Sequence, residues 1–533
     1  MAPHSPDPLG LLFAVATATI VVTSAVSLLV SWRHRRAVGR SIRHTTGASV
    51  TPVPVGGQDA SYVRVRPAPV VLLGTAYRPG TGGSADDLWR RARRRLHATV
   101  AAYVVAGLTC GLVDGAVWLT AGRVEIGPRN LLGLAVLFAW PLVPTVPAVL
   151  AATRSTRVWV WVGYGVLVPI STIGTGIAPS VTATLVGLVV LPPAVVLLAL
   201  SGRDVRAVGP FLAVPVLVTA TGLLLYPSTA LWAVGLGASP DVGTALGMLA
   251  AGVFGVAGMA HLVRSARQYG RKRAGDQTVT ISHWWLLATV WHSVVLLPAG
   301  IRPALAVWTA HLAFRFVLDA AMRLRPRTTG LPRRLLLLRT QGAAQSGETL
   351  LRRVVAHWRH VGTIATITRT DRASAALEPH EFLELLRGSP GRRVVGTAGE
   401  LRAQVDDLDG DPDPDGRYRV GELFCRDDMW RQALQQLLRR SDCVLLDVRG
   451  FTRRHERATW EITQLAQLVS LSRVVVLVDD TTDEYVLRAV VDRARARLDP
   501  RAPEVAGGSL RILRARAGRL DPATVVEQLG RAA

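Results

Sequence analysis

The chain has 533 residues, is 49% hydrophobic with positive mean hydropathy, and carries a formal charge of +24. Residues 331–533 hold 33 basic and 28 acidic side chains, so the basic excess lies mainly among the apolar runs of the first three-fifths, where positive-inside loops account for it and nucleic acid is not expected as a partner. Cys110, Cys425 and Cys443 form no C-x-x-C pair, which excludes a disulfide framework and a zinc-site spacing.

In chain order, the first apolar run spans Leu9 to about Trp32 and is followed at once by RHRRAVGRSIRH, with no Lys or Arg before it. That charge order predicts an uncleaved anchor over residues 1–32, with the N-terminus outside the plasma membrane. Residues 33–96 read as a cytosolic, basic, Gly/Pro-rich loop. It ends in SADDLWRRARRRLHA, where Ser84 is placed to cap a helix and Asp86 and Asp87 favour its positive end. Further apolar runs fall at about 97–121, 130–152, 157–175, 179–200, 207–226, 242–263, 282–300 and 303–321. Each approaches the roughly 20 residues needed to cross a hydrocarbon core. The expectation is therefore nine spans, the anchor and eight more in a helical bundle over 97–321, with the C-terminus inside. Trp89, Trp159, Trp284 and Trp285 are expected in interfacial belts.

Three polar side chains inside these runs are candidates for intramembrane chemistry. Asp114 in the second run could bind a proton or cation, because an isolated carboxylate is costly there, about 2.5–3.5 kcal/mol. In the last run His311, Arg315 and Asp319 share one helix face at i, i+4, i+8, so Arg315 and Asp319 are expected to pair. These residues support an alternative in which the bundle is a transporter or channel and the C-terminal domain regulates it.

From residue 331 the pattern changes to short apolar strands alternating with amphipathic helices. RRLLLLRT, TIATITR, RYRVGELFC, DCVLLDV, RVVVLVDD and SLRILRA read as strands. SGETLLRRVVAHWRHV, EPHEFLELLRG, GELRAQVDDL, DMWRQALQQLLRR, ATWEITQLAQLVSL, DEYVLRAVVDRARARL and DPATVVEQLG read as helices. Alternation of this kind predicts a doubly wound α/β domain over 331–533 with a parallel sheet. Ligands in that class bind outside the carboxyl ends of the strands. The candidate binding residues there are Ser346, Arg449, Phe451, Asp479 and Thr481. Neither a P-loop nor a GxGxxG signature follows the first strand.

Residues 411–422, DPDPDGRYRVGE, match the calcium-loop pattern. Pro412 and Pro414 push their predecessors toward extended geometry, and a strand follows where the loop should still coil, so calcium is not expected. Asp415-Gly416 reads instead as the turn that launches a strand.

The stretch SDCVLLDVRGFTRRHERATWEITQL (441–465) sets a polar loop directly after a buried strand, then a helix whose opening turn is expected to carry Trp460 and Glu461. This order resembles the TIR-domain pattern, although here the Glu directly follows the Trp. Together with YRVGELFCRDDMW and VVVLVDDTTDE, the stretch also looks like a group of bacterial multi-pass membrane proteins with a cytosolic, flavodoxin-like domain. The TIR resemblance implies a signalling or effector protein that binds a nucleotide such as NAD and associates with itself through the domain. In the enzymatic branch of that family NAD is the substrate, with Glu461 as the catalytic carboxylate acting on the ribose beside Trp460. Carboxylates suit oxocarbenium-like centres of this kind. A non-catalytic scaffold is the remaining alternative.

Overall fold

The computed structural model describes residues 21–30, 70–73, 83–121, 233–271, 299–324, 333–339, 345–368, 394–406, 416–425, 429–496, 509–515 and 520–532, with isolated positions between these blocks. Two compact units result. One holds the apolar helices within residues 96–327, and the other holds a sheet built from 35–95, 328–375 and 390–533.

Among the described residues, three helices are long and apolar enough to cross a membrane: α1 (Gly83–Thr120, apolar from Arg90), α2 (Pro240–Gly270) and α3 (Ile301–Leu324). They coincide with the expected runs at 97–121, 242–263 and 303–321. A shorter apolar helix covers Val21–Val30 within the expected anchor. The runs at 130–152, 157–175 and 179–200 lie outside the described residues, and those at 207–226 and 282–300 are described only at scattered helical positions.

One expectation for this half changes: Ser84, expected to cap the helix, already lies within it, since α1 begins at Gly83. Trp285 is 1% exposed and its ring lies 4.9 Å from that of Phe314, inside a cluster with Tyr103, Ala106 and Ile281.

The sheet has eight strands: β1 (Val70–Leu73), β2 (Arg333–Arg339), β3 (Gly362–Thr368), β4 (Val394–Val395), β5 (Val420–Cys425), β6 (Cys443–Asp447), β7 (Val474–Val478) and β8 (Leu510–Arg514). Their order is β1-β8-β7-β6-β2-β3-β5-β4 and every pairing is parallel. Five helices lie between them, α4 (Gln345–Trp358), α5 (Ala398–Asp406), α6 (Trp430–Arg440), α7 (Glu456–Leu468) and α8 (Glu484–Arg495), and α9 (Pro522–Ala532) follows β8. The expected helix EPHEFLELLRG lies outside the described residues.

Strand period divides the core in two. Leu336, Leu338, Val444, Leu446, Val474, Val476 and Ile512 face the layer of α5 to α8. Leu335, Cys443, Leu445, Val475, Leu477 and Leu513 face α4 and α9. Successive residues of a strand point to opposite faces, so a strand buried on both sides must be apolar along its length, as β7 is and as β6 is up to Asp447. Leu350, Leu351, Val354 and Trp358, at helical spacing, form the apolar stripe of α4 and are all buried on the second layer.

The domain boundary moves. The stretch 33–96, expected to be a loop apart from the domain, supplies β1, which extends the sheet in register from Val70↔Leu510 to Leu73↔Leu513. Ala92 of α1 joins the α4/α9 layer, and Arg95 Nη1 donates to Tyr418 Oη at 3.4 Å.

Candidate functional site

Chain direction across the sheet reverses between β2 and β6. From β2 the strands run outward to β3, β5 and β4, while β6 returns to the other side of β2 and continues to β7 and β8. Connections leave these neighbours in opposite directions and open a crevice beyond their carboxyl ends. The segment 448–455 between β6 and α7 flanks it. Ser346 is in the first turn of α4, and its side chain lies outside the described residues.

The loop after β6 is built around a buried ion pair. Asp447 is fully buried and Arg449 is 4% exposed. Arg449 Nε donates to Asp447 Oδ1 at 2.8 Å and Nη2 to Oδ2 at 2.7 Å, a bidentate pair. Burial works against the guanidinium charge, but the hydrogen bonds and charge of Asp447, with the charge of Asp479, outweigh it and raise the Arg449 pKa. Gly450 follows at φ +75°, a conformation open to glycine without a Cβ penalty. Phe451 then turns inward and is fully buried.

The loop after β7 is stitched to this one. Asp479 Oδ1 accepts from the backbone N–H of Gly450 (3.2 Å) and Thr481 (3.1 Å), and from Thr481 Oγ1 (2.7 Å). Thr482 Oγ1 lies 2.9 Å from the same carboxylate oxygen and 3.2 Å from Val448 O, while the Asp483 N–H donates to Phe451 O. Although burial opposes it, the donated hydrogen bonds hold the Asp479 carboxyl below its ordinary pKa. Asp483 Oδ1 then caps α8 through Val486 N, and Arg514 at the end of β8 pairs with Glu484 and with Asp480 at 3.5 Å. Four of the expected binding residues are thus in this region, but not as free ligand contacts. Arg449 is committed to Asp447, Phe451 anchors the loop, and Asp479 with Thr481 form the stitch. The side chains turned outward on the same loop are Arg453 and Arg454, both exposed, just before α7. The sequence reading did not single them out, although RR directly after a buried strand and its loop was the available signal.

Glu461 and Trp460 fall elsewhere. Helix α7 begins at Glu456 after His455, so both residues lie in its second turn rather than its opening one. The two helical residues before the expected start at Ala458, Glu456 and Arg457, are charged and so disguise the first turn. Glu461 is 8% exposed and accepts from Arg457 Nε at 2.9 Å. The Arg457 guanidinium sits 4.0 Å from the Trp430 ring centroid, and the Trp430 and Trp460 rings meet edge-on at 4.8 Å. Arg431 lies 5.4 Å from the Trp460 centroid. Cation–π contacts and the ion pair therefore clamp α6 against α7, and Glu461 is part of that clamp.

At DPDPDGRYRVGE, Asp413 is 2% exposed and both its carboxylate oxygens accept from Arg419 Nε, at 2.9 and 3.1 Å. The Gly416 N–H donates to Asp413 O, closing the expected turn before β5. One of the carboxylates the calcium pattern requires is thus spent on an arginine. Among the described residues no group of three His, Cys, Asp or Glu side chains is placed to hold a metal.

In the helical unit, Asp114 of α1 is 3% exposed and its Oδ2 lies 2.8 Å from His292 Nδ1, itself 1% exposed, with Trp118 edge-on to the imidazole at 5.9 Å. Arg315 and Asp319, expected to pair, are not joined by an ion pair. Phe314 and Leu318 take the buried face of α3, leaving Asp319 exposed and Arg315 beside His311 and His261.

Fold and site together define a doubly wound, all-parallel α/β domain in a chain whose described residues also include three long apolar helices. Comparison with known proteins finds no family model and no curated protein that matches the chain.

Proposed function

We propose that this chain is a multi-pass integral membrane signalling or effector protein, with its N-terminus outside and its sheet domain in the cytoplasm, where the domain holds a phosphate-bearing nucleotide. The observation that carries this reading is the switch point between β2 and β6, flanked by a loop that the Asp447–Arg449 pair and the Asp479 stitch hold rigid while Arg453 and Arg454 face outward. Arginine forks suit phosphate oxygens, and the N-terminus of the following α7 favours negative charge. A TIR-like role in signalling through self-association fits the same domain.

Binding is favoured over cleavage of NAD. Glu461 is buried, paired with Arg457 and engaged in the α6–α7 clamp, so its carboxylate has a structural partner. The test is thermal stability of the full chain in detergent against ATP, NAD and inorganic phosphate. A nucleotide at 100 times its Kd should add about 2.7 kcal/mol of stability. Arg453→Gln with Arg454→Gln should abolish the shift. No shift with any nucleotide would sink the proposal, and NAD turnover lost in Glu461→Ala would restore the enzymatic version.

The buried Asp114–His292 pair favours a second reading, in which the helices move a proton or cation and the sheet domain regulates them. Unchanged flux through reconstituted Asp114→Asn vesicles would remove it.

A further inference from the structure

Helix α2 carries a stripe that changes from apolar to basic along its length. Val256, Met259 and Val263, at i, i+3, i+7, are 71%, 58% and 39% exposed. The stripe continues as Arg264, Arg267 and Arg271, again i, i+3, i+7, all exposed. These six side chains line one open groove of about 660 Å³, and among the described residues none that lines it is acidic. The opposite face of the helix is occupied: Ser265 and Tyr269 are buried, and the Tyr269 ring packs edge-on against Phe211 at 5.8 Å. The stripe is therefore the outer face of the helix.

We infer that this groove binds an anionic phospholipid, its acyl chain along Val256–Met259–Val263 and its headgroup phosphate among the three arginines. The inference rests on the membrane reading proposed above. Water would penalise so much exposed apolar surface on one helix, where Leu249 and Val253 extend the same exposure at 64% and 58%. A lipid tail would not. The fifteen steps from Val256 to Arg271 rise about 22 Å at 1.5 Å per residue. One leaflet with its headgroup zone is about 20–22 Å deep. The change from valine to arginine thus falls where hydrocarbon gives way to phosphate. One arginine would satisfy the negative end of the helix dipole, whereas three on one groove wall match an anionic headgroup.

The test uses the full chain purified from membranes, washed in detergent, and offered phosphatidylglycerol and phosphatidylcholine in equal amounts, with retained lipid counted by native mass spectrometry. The wild type should retain phosphatidylglycerol preferentially. Each of Arg264→Gln, Arg267→Gln and Arg271→Gln should lower that preference about five-fold, the scale for one basic residue near an anionic surface. Val263→Trp, which keeps every charge but fills the apolar half, should lower retention of both lipids. Equal retention of the two lipids by a membrane-bound wild type, or no effect of the three glutamine variants, would overturn the inference alone. Displacement of phosphatidylglycerol by inorganic phosphate would overturn it in favour of a free-anion site. Recovery of the chain in the soluble fraction would overturn the membrane reading and the inference with it.

Discussion

His292 Nδ1 lies 2.8 Å from Asp114 Oδ2, and both side chains are almost wholly buried among apolar helices. Each supplies the other's polar partner in surroundings where an unmatched one would be costly. Asp114→Ala and His292→Ala should each lower the stability of the full chain in detergent by about 3 kcal/mol or more. The double variant should cost less than the sum, by about 1–3 kcal/mol. Additive losses in thermal unfolding would show that the contact contributes nothing.

The α6–α7 clamp makes a similar claim for the sheet domain. Arg457 both pairs with Glu461 and covers Trp430. A double-mutant cycle of Arg457→Ala and Glu461→Ala should return a coupling of about 0.5–3 kcal/mol. Coupling near zero would leave Glu461 free of the structural task assigned to it.

Strand β1 comes from far upstream and covers the outer edge of β8. A fragment of residues 331–533 lacks it and should expose the β8 edge, a template for intermolecular pairing. In that fragment the amides of Leu510–Arg514 should exchange faster than in the full chain, with concentration-dependent association by light scattering. Equal protection in both would show that β1 is dispensable, and nucleotide tests could then use the fragment.

At Gly362 a Cβ would fall 1.9 Å from Arg333 O and 2.7 Å from Arg333 C, both backbone atoms of the neighbouring strand. Gly362→Ala must push β3 away from β2 at the start of their ladder. A loss of at least about 1–3 kcal/mol is expected, the range for overpacking a dense interior. Denaturant unfolding of the full chain followed at Trp358 measures it, and an unchanged midpoint would refute it.

His360 gives the sheet domain an acid-sensitive element. Burial first, then the charges of Arg417, Arg359 and His357, pushes its pKa down to about 3 from 6.5. In the unfolded chain the ring takes up a proton below about 6.5, while the folded ring stays neutral until about 3. Folding stability is therefore complete above about pH 6.5 and falls as pH drops toward 3. His360→Gln should flatten that acid limb in unfolding curves; an identical pH dependence in the variant would remove His360 as its source.

The strands were legible because burial on both faces demands unbroken apolar runs: LLLL in β2, CVLL in β6 and VVVLV in β7 leave little else to read. The amphipathic stripe of α4 and the turn before β5 were equally local, since each is set by spacing within a few residues. The long apolar helices α1, α2 and α3 followed from composition alone. Other features depended on residues distant in the chain. VVLL at 70–73 is an ordinary short apolar run, and only pairing with β8 makes it a strand. Arg449 and Phe451 looked like ligand contacts from their position after β6. Chain packing turned one toward Asp447 and the other into the core. Glu461 could be read from the sequence as a catalytic carboxylate, but not that Arg457, one turn back on the same helix, would take it while stacking on a tryptophan from α6. Nor could Asp114 and His292 be matched, because nothing local records which two helices meet. Periodicity and hydropathy decide the elements. Which polar groups are spent on one another is decided by tertiary contact, since desolvation makes each buried charge find its partner there.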